Sequence, residues 1–223
     1  IDNVSVKEVL YDQPDGTLQL FNHPINKPRI EYDASGNCLG LLVEEARTNV
    51  ITYSEDFTNS FFTKNNVTIQ SGITAPNAEL TASKLQESET TGNHILYSTG
   101  LSAGTLSIYA KGDGSGRLFQ IRRDGGGGAS SWAWFNLDNG SVELQTEGTA
   151  EIKQINNGWY RCSLTPTSAV GTVVFGLSSG ATSRQVSYSG DGTSGAYIWG
   201  GQLEVGSFPT SYIPTSGSTV TRA

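Results

Sequence analysis

Two tryptophans that alternate along one strand are the residues of this sequence best suited to bind a ligand. In the stretch SSWAWFNLD the apolar residues recur at every second position, and residues i and i+2 of a strand lie on one face. If Ala133, Phe135 and Leu137 point into a core, Trp132 and Trp134 point away from it. Exposed indole faces can stack on the C–H patches of sugar rings. This phase therefore predicts a platform for a glycan.

Polar side chains beside these indoles would orient a sugar. The strand RLFQIRRD places Gln120 and Arg122 on one face, and Asn136 shares the face of the two tryptophans. Amide and guanidinium groups are suited to hold sugar hydroxyls by hydrogen bonds. Tyr109 could extend the platform, although an isolated outward tyrosine is also ordinary sandwich surface. In the alternative interpretation, residues 1–46 cover this sheet and bury both indoles as a second core.

The sequence contains no recognisable catalytic constellation. Its two histidines, His23 and His94, lie in unrelated contexts, and the GxSxG turn of serine hydrolases is absent. Glu44 and Glu45 are adjacent, so a strand would point their carboxylates to opposite faces, which does not suit a paired-carboxylate mechanism. We therefore expect a protein that is not an enzyme. A hydrolase or lyase built from scattered residues stays open.

The composition favours strands and disfavours nucleic acid as a partner. Only 16% of the 223 residues are charged and 27 are glycine, whereas helices draw on Ala, Leu, Glu, Lys and Arg. The net charge is −7, and no cluster of Lys and Arg offers a phosphate-binding surface. No apolar run approaches the roughly 18 residues that span a bilayer. We expect neither a nucleic acid nor a membrane as partner.

Short alternating segments recur along the chain from residue 40, separated by turn sequences such as DGGGGAS, LDNG and INNG. This density of short strands predicts an all-β fold, in which two antiparallel sheets form a sandwich. Its inner positions would include Leu106, Ile108 and Ala110 on one strand. The predicted strands are 40–46, 48–54, 67–71, 93–99, 105–111, 117–123, 131–137, 141–146, 150–156, 158–166, 171–178, 184–189 and 195–204. A short helical turn at 81–88 also fits the sequence.

Two cysteines, Cys38 and Cys162, allow one disulfide at most. Cys162 alternates in phase with Tyr160 and Leu164, which places it inward, whereas Cys38 lies in the turn-like stretch SGNCLG. A disulfide between them fits the sequence. Two free thiols, one of them buried as a small apolar side chain, fit it as well.

Five stretches, in order, are LGLLVEEARTNVITYSEDFTNSFFTK, APNAELTASKL, LSIYAKG, NGWYRCSLT and YIWGGQLEVGSFPTSYIPTSGSTVTRA. Together they resemble a module that recurs in bacteriophage tail, fibre and head-appendage proteins and in some bacterial surface proteins. The resemblance covers about residues 28–223. It implies a jelly roll similar to carbohydrate-binding and lectin-like modules, of the concanavalin A-like or galactose-binding-like type. Trp159 and Trp199 lie inside these stretches and are expected to pack, with Arg161 stacked or paired nearby.

The resemblance also implies a metal. Modules of this general type often hold a structural Ca²⁺ between an acidic residue after the first strand and an aspartate on the last. Glu55 and Asp56 in SEDF match the first part, but Trp199 stands where the aspartate would fall. Calcium takes roughly six to eight oxygen ligands, so backbone carbonyls would have to complete the shell. A structural Ca²⁺ at this pair is the one cofactor that the sequence suggests.

The pattern divides the chain into four parts. Residues 1–10 resemble the closing strand of a galactose-binding-type jelly roll, so they either end an upstream module or dock onto this one. Residues 11–39 contain several turn signals and are expected to connect the parts through short hairpins. The sandwich would span 40–214, and 215–223 would form an exit linker.

These features together predict a non-catalytic carbohydrate-binding module of a phage or bacterial surface fibre. Its partners would be a cell-surface polysaccharide and the neighbouring modules of the same chain, and its place would be the virion or the cell surface. Two alternatives stay open. One is a structural spacer or decoration domain of a virion fibre, which could form a homotrimer, and the other is a polysaccharide-degrading domain.

Overall fold

The computed structural model describes residues 29–32, 37–102, 104–125, 130–167 and 171–222. Within these ranges the chain forms strands and no helix, so no membrane-spanning helix occurs in the described part. The expected closing strand 1–10 and most of the connecting segment lie outside the described residues. The strands are β1 (Arg29–Tyr32), β2 (Cys38–Leu42), β3 (Arg47–Asn49), β4 (Thr63–Asn65), β5 (Val67–Ile73), β6 (Ala82–Glu87), β7 (Thr91–Gly92), β8 (His94–Thr99), β9 (Thr105–Gly112), β10 (Leu118–Asp124), β11 (Ser130–Asn136), β12 (Ser141–Thr146), β13 (Thr149–Gln154), β14 (Tyr160–Thr165), β15 (Thr172–Ser178), β16 (Tyr188–Ser189), β17 (Gly195–Glu204) and β18 (Val220–Arg222).

Two antiparallel sheets of six strands pack against each other. The first sheet has the order β12-β11-β10-β15-β8-β4, and the second has the order β13-β14-β9-β17-β6-β5. Three short pairs lie outside these sheets: β1 with β2, β7 with β16, and β3 with β18. The predicted all-β, two-sheet sandwich is confirmed. The jelly-roll connectivity stays a prediction.

The core lies between the two sheets and follows the predicted alternation. Ala133, Phe135 and Leu137 are buried in it, together with Leu106, Ile108 and Ala110, the predicted inner positions of β9. Every second residue of β15 from Val173 to Leu177 also points into this core. Cys162 is also in this core, whereas Cys38 is exposed, and both thiols are free. Burial raises the pKa of the Cys162 thiol well above its usual value, so this side chain serves as a small apolar residue.

The helical turn that the sequence allowed at 81–88 does not form, because this stretch is strand β6. It pairs with β5 on one side and with β17 on the other. Leu85 fills the core, and two residues later the buried carboxylate of Glu87 accepts two hydrogen bonds from Arg117, at 2.8 and 2.7 Å. Inward contacts at every second residue suit a strand and not a helix.

A second apolar cluster covers the outer side of the second sheet. Trp159 and Trp199 are buried in it beside Tyr109, which confirms that both tryptophans pack. The guanidinium of Arg161 lies 5.4 Å from the ring centre of Tyr109. The paired register of β17 shifts between Trp199 and Gln202, where Gly200 adopts a φ of +64°. A bulge with a left-handed glycine lets the backbone approach these rings closely.

The C-terminal arm, residues 205–222, returns over this cluster. Asn49 in β3 fixes it: its side-chain amide donates to the carbonyls of Gly201 and Ile213 at 3.1 and 2.9 Å. The arm ends in β18, which pairs with β3. The segment expected to be an exit linker therefore contributes a strand at Val220–Arg222.

Candidate functional site

The predicted platform has the expected strand phase but not the expected exposure. Trp134 lies on the outer side of the first sheet, yet only 1% of it is exposed. The covering segment, residues 179–187 between β15 and β16, lies over it, and the indole N–H donates to the carbonyl of Ser183 at 2.8 Å. The expectation of an open Trp134 is therefore wrong. In the described structure this segment covers it, and most of residues 1–46, the cover considered in the alternative interpretation, lie outside the described residues.

The polar partners predicted for a sugar are occupied by the same segment. Gln120 and Arg122 are buried, and both donate to the carbonyl of Arg184, at 2.7 and 3.3 Å. The space left beneath the covering segment is about 10 Å³, which is room for no more than one water molecule. The sheet thus brings Trp134, Gln120 and Arg122 together as predicted, but it leaves no volume for a sugar.

The other predicted platform residues are also engaged locally. Trp132 is half-buried. The side-chain oxygen of Asn136 accepts the backbone N–H groups of Asp138 and Asn139, at 3.0 and 3.3 Å, and so closes the turn after β11. Tyr109 is buried against Trp199, with ring centres 5.2 Å apart. An outward, exposed Tyr109 was thus a wrong expectation.

An open cleft of about 500 Å³ lies elsewhere, where β5 and β6 meet two loop segments. This volume is in the range of small-molecule sites in proteins. The two loop segments contribute Tyr53, Glu55 and Asp56 from one and residues 214–216 from the other. The cleft is lined by Tyr53, Glu55, Asp56, Ser71, Leu80, Thr81, Ser83, Pro214, Thr215 and Ser216.

Hydroxyl groups dominate this lining, and a buried serine is the most informative of them. Ser71 and Ser83 are directly opposite each other on β5 and β6. Ser83 is only 2% exposed, and no other group in the described part of the chain hydrogen-bonds to its hydroxyl. Its oxygen is not one of the fully enclosed, unpaired side-chain atoms of the described structure, so the hydroxyl reaches the open space of the cleft. The Ser83 hydroxyl is therefore a group for a molecule in the cleft to satisfy.

Glu55 provides an oriented carboxylate at the same place. The hydroxyl of Tyr212 donates to its Oε1 at 2.9 Å, and the Ser54 hydroxyl lies 2.6 Å from the same phenolic oxygen. Burial raises the pKa of Glu55, and the negative charge of Glu79 adds to this effect. Hydrogen bonds from Tyr212, Thr81 and Trp199 act in the opposite direction but are outweighed.

The residues present do not fit a calcium shell built from side chains. Asp56 Oδ1 accepts the backbone N–H and the hydroxyl of Thr58, at 3.1 and 2.5 Å, so this carboxylate shapes its own turn. Within the described ranges no group of three or more His, Cys, Asp or Glu side chains could hold a metal. Glu55 and Asp56 are brought to one cleft, but they offer only two carboxylates where calcium needs roughly six to eight oxygens.

The sequence indicated Glu55 and Asp56 as calcium ligands, but it did not indicate Ser71 and Ser83. Ser71 and Ser83 meet only because β5 pairs with β6, and no strand was predicted at 81–88, where a helical turn also fitted the sequence. Nothing in the local sequence could have joined them. No protein-family model matches this chain, and no curated protein matches it. Its function must therefore be inferred from the groups that line the cleft.

Proposed function

We propose that the protein is a non-catalytic carbohydrate-binding module of a virion or cell-surface fibre. Its cleft, and not the Trp132–Trp134 face, holds a cell-surface polysaccharide. The observation that carries this proposal is the unpaired Ser83 hydroxyl, which belongs to a nearly buried residue that lines a cleft of about 500 Å³. The Ser83 hydroxyl can both donate and accept a hydrogen bond, and each hydroxyl of a sugar can do the same.

The rest of the lining suits the two kinds of surface on a sugar ring. The hydroxyls of Tyr53, Ser71 and Ser216 line the cleft beside Ser83 and can bond to sugar hydroxyls. Glu55 can accept from a sugar hydroxyl, and such charge-assisted hydrogen bonds are roughly twice as strong as neutral ones. The exposed side chain of Leu80 at the edge of the cleft offers apolar contact to the C–H face.

The cleft favours binding over cleavage. A glycosidase of the common type places two carboxyl groups across the scissile bond, about 5–9.5 Å apart, each free to act on it. Here Asp56 holds the backbone and hydroxyl of Thr58, and a carboxylate so engaged is poorly placed to act on a substrate. Release of reducing ends or unsaturated products from any polysaccharide would contradict the non-catalytic proposal.

A Ser83→Val variant tests this function. Valine suits a strand but is larger than serine, so it removes the hydroxyl and narrows the cleft. On a glycan array and by calorimetry, we expect the variant to lose at least tenfold in affinity for any sugar that the wild type binds. Ser163→Val is the matched control, because Ser163 is also buried in the same sheet but does not line the cleft. Equal affinity of wild type and Ser83→Val would refute the site.

A spacer or decoration domain that self-associates is the second candidate, and the β1–β2 hairpin favours it. Ile30 lies directly opposite Leu41, and Leu39 and Val43 lie two residues before and after Leu41 in the sequence. These four side chains are 42–81% exposed. A two-stranded hairpin is only marginally stable in water by itself. The same hairpin of a second copy could pack against these side chains and bury them.

Light scattering tests this second candidate. A Leu39→Lys/Leu41→Lys variant should dissociate any oligomer of the wild type, since it places charges in the shared apolar face. Val205→Lys is the control, because Val205 is also exposed and lies outside the hairpin. A wild type that is monomeric at high concentration would exclude a second copy as the partner of the hairpin.

A further inference from the structure

We propose that the cleft recognises an amino sugar that carries a free ammonium group and rejects polysaccharides built from acidic sugars. This inference rests on the proposed glycan binding and names the class of glycan. It follows from three features of the cleft: the sign of its charges, the way Glu55 is held, and the hydroxyls left for the rest of the ring.

All charges on the described lining of the cleft are negative. Glu55 and Asp56 belong to it, and no Lys, Arg or His does. Glu79 adds a third negative charge that acts on Glu55. An acidic sugar would therefore meet carboxylates with no cation to pair with, and like charges at close range repel by several kcal/mol when partly desolvated.

Lys64 and Lys84 form their contacts with groups outside the lining of the cleft. The ammonium of Lys64 donates to the carbonyls of Thr58 and Asn59, both at 2.7 Å, and the charge of Asp56 acts on it. The ammonium of Lys84 lies 2.9 Å from Asp113. Neither lysine lines the cleft, so a cation for Glu55 has to come from the ligand.

Hydrogen bonds orient the Glu55 carboxylate so that it can accept from a cation. One of its oxygens accepts from Tyr212 at 2.9 Å, and Tyr212 is itself fixed by Ser54 at 2.6 Å. This chain of hydrogen bonds orients the carboxylate before a ligand arrives, which reduces the entropy lost on binding. Burial raises the pKa of the Glu55 carboxyl, and an ammonium beside it would favour the ionised form.

An ammonium group presents three donors and no acceptor. It can give hydrogen bonds to Glu55 while the ring hydroxyls of the same sugar bond to Ser83 and Ser71 across the cleft. N-acetylation of the amine removes its charge and adds bulk, so the acetylated sugar keeps the hydroxyl contacts but loses the charge-assisted one. The free amine is therefore the feature that the carboxylate can discriminate.

Calorimetry on the whole chain with three tetrasaccharides tests this inference. The probes are the glucosamine tetramer, its fully N-acetylated form and the galacturonate tetramer, at pH 6 and in 150 mM salt. We expect the glucosamine tetramer to bind at least tenfold more tightly than the acetylated one, and the galacturonate tetramer not to bind. Glu55→Gln keeps an acceptor for Tyr212 and should abolish the preference, with little change for the acetylated tetramer.

Glu151→Gln is the matched control, because Glu151 is an exposed glutamate of β13 away from the cleft. It removes the same charge from a protein whose net charge is −7. An equal loss in both variants would show general attraction to a cationic sugar and would overturn the inference. If Glu55→Gln does not fold, wild-type affinity for the glucosamine tetramer decides instead. That affinity must rise between pH 4 and 6 as Glu55, with Glu79 and Asp56 around it, becomes ionised.

The outcomes separate this inference from the proposed function. If the acetylated tetramer binds as tightly as the free amine, or if Glu55→Gln keeps the preference, the amino-sugar inference is overturned while glycan binding stands. If no sugar on the array binds, the proposed function fails and the inference fails with it.

Discussion

Glu55 links the charge of the cleft to the stability of the fold. Burial raises its pKa in the native state above the ordinary value of 4.5, so the folded protein binds a proton over a pH interval in which the unfolded chain releases it. This stabilisation is complete below the unfolded pKa and is lost as the pH rises through the native pKa. Ionisation of Glu55 therefore opposes folding unless a cation binds beside it.

A comparison of wild type with Glu55→Gln isolates this effect. The variant cannot ionise at this position, so its free energy of unfolding should fall less than that of wild type as the pH rises from 4 to 6. Urea unfolding at several pH values measures the difference between the two proteins. Identical pH dependence would mean that the carboxyl of Glu55 titrates alike in the folded and unfolded chain.

The pKa of Glu87 shifts in the opposite direction to that of Glu55. Burial acts to raise its pKa, but hydrogen bonds from Arg117, Tyr188 and the backbone N–H of Asp191 outweigh it and lower the pKa overall. The stability from this carboxylate is therefore present above its unfolded pKa and is lost as the pH falls through the native one. Arg117 forms the ion pair at 2.7 Å with Glu87, whose side chain is fully buried.

Replacement of Arg117 should lower the free energy of unfolding strongly. Arg117→Met leaves a buried carboxylate without its cation, and such losses are about 3–5 kcal/mol. Urea unfolding at pH 7 measures the change in the free energy of unfolding. The double variant Arg117→Met/Glu87→Gln should recover part of the loss, because it also removes the buried charge. No recovery would mean that packing of the Arg117 side chain, and not charge, makes the contribution.

At the scale of single elements, the covering segment explains why the tryptophan face was predicted only in part. Alternation fixes which side of a strand a residue occupies, so the placement of Ala133 and Phe135 in the core could be predicted from period two alone. Exposure depends on what lies above the sheet. The segment that buries Trp134 comes from about fifty residues later in the chain and carries no local signal of its position.

The contact between Trp134 and this segment can be tested directly. Trp134→Phe removes the N–H that bonds to the carbonyl of Ser183 and leaves a small void, so we expect a loss of about 1–3 kcal/mol in the free energy of unfolding. Trp132→Phe is the control and should cost clearly less, because Trp132 is only half-buried. Chemical denaturation followed by circular dichroism gives both values, and equal costs would contradict the assigned contact.

Strand β6 shows how long-range pairing decides an ambiguous stretch. Ala, Lys, Leu, Gln and Glu all favour helices when packing does not decide, and TASKLQES is rich in them. Pairing with strands on both sides overrides that preference. The cleft depends on the same pairing, since it brings Ser83 opposite Ser71. The site could therefore not be predicted without the sheet.

At the scale of the whole molecule, the two ends of the described sandwich meet at Asn49. This buried side chain makes four hydrogen bonds: it donates to Gly201 and Ile213 and accepts from the N–H groups of Ile51 and Leu203. One residue of β3 thus fixes both the last long strand and the C-terminal arm. The arm in turn supplies Pro214–Ser216, one wall of the cleft.

Replacement of Asn49 should therefore affect stability and the cleft together. Asn49→Ala leaves four buried backbone groups unpaired, and at roughly 1 kcal/mol or more for each the free energy of unfolding should fall by about 3–5 kcal/mol. Because the arm loses its anchor before the sandwich unfolds, limited proteolysis should cut first within 205–222, and affinity for a glycan should fall. Thr48→Ala, which removes only the exposed bond to Thr221, should leave both readouts near wild type. Cleavage of Asn49→Ala elsewhere in the sandwich would show that the arm is held mainly by its packed rings.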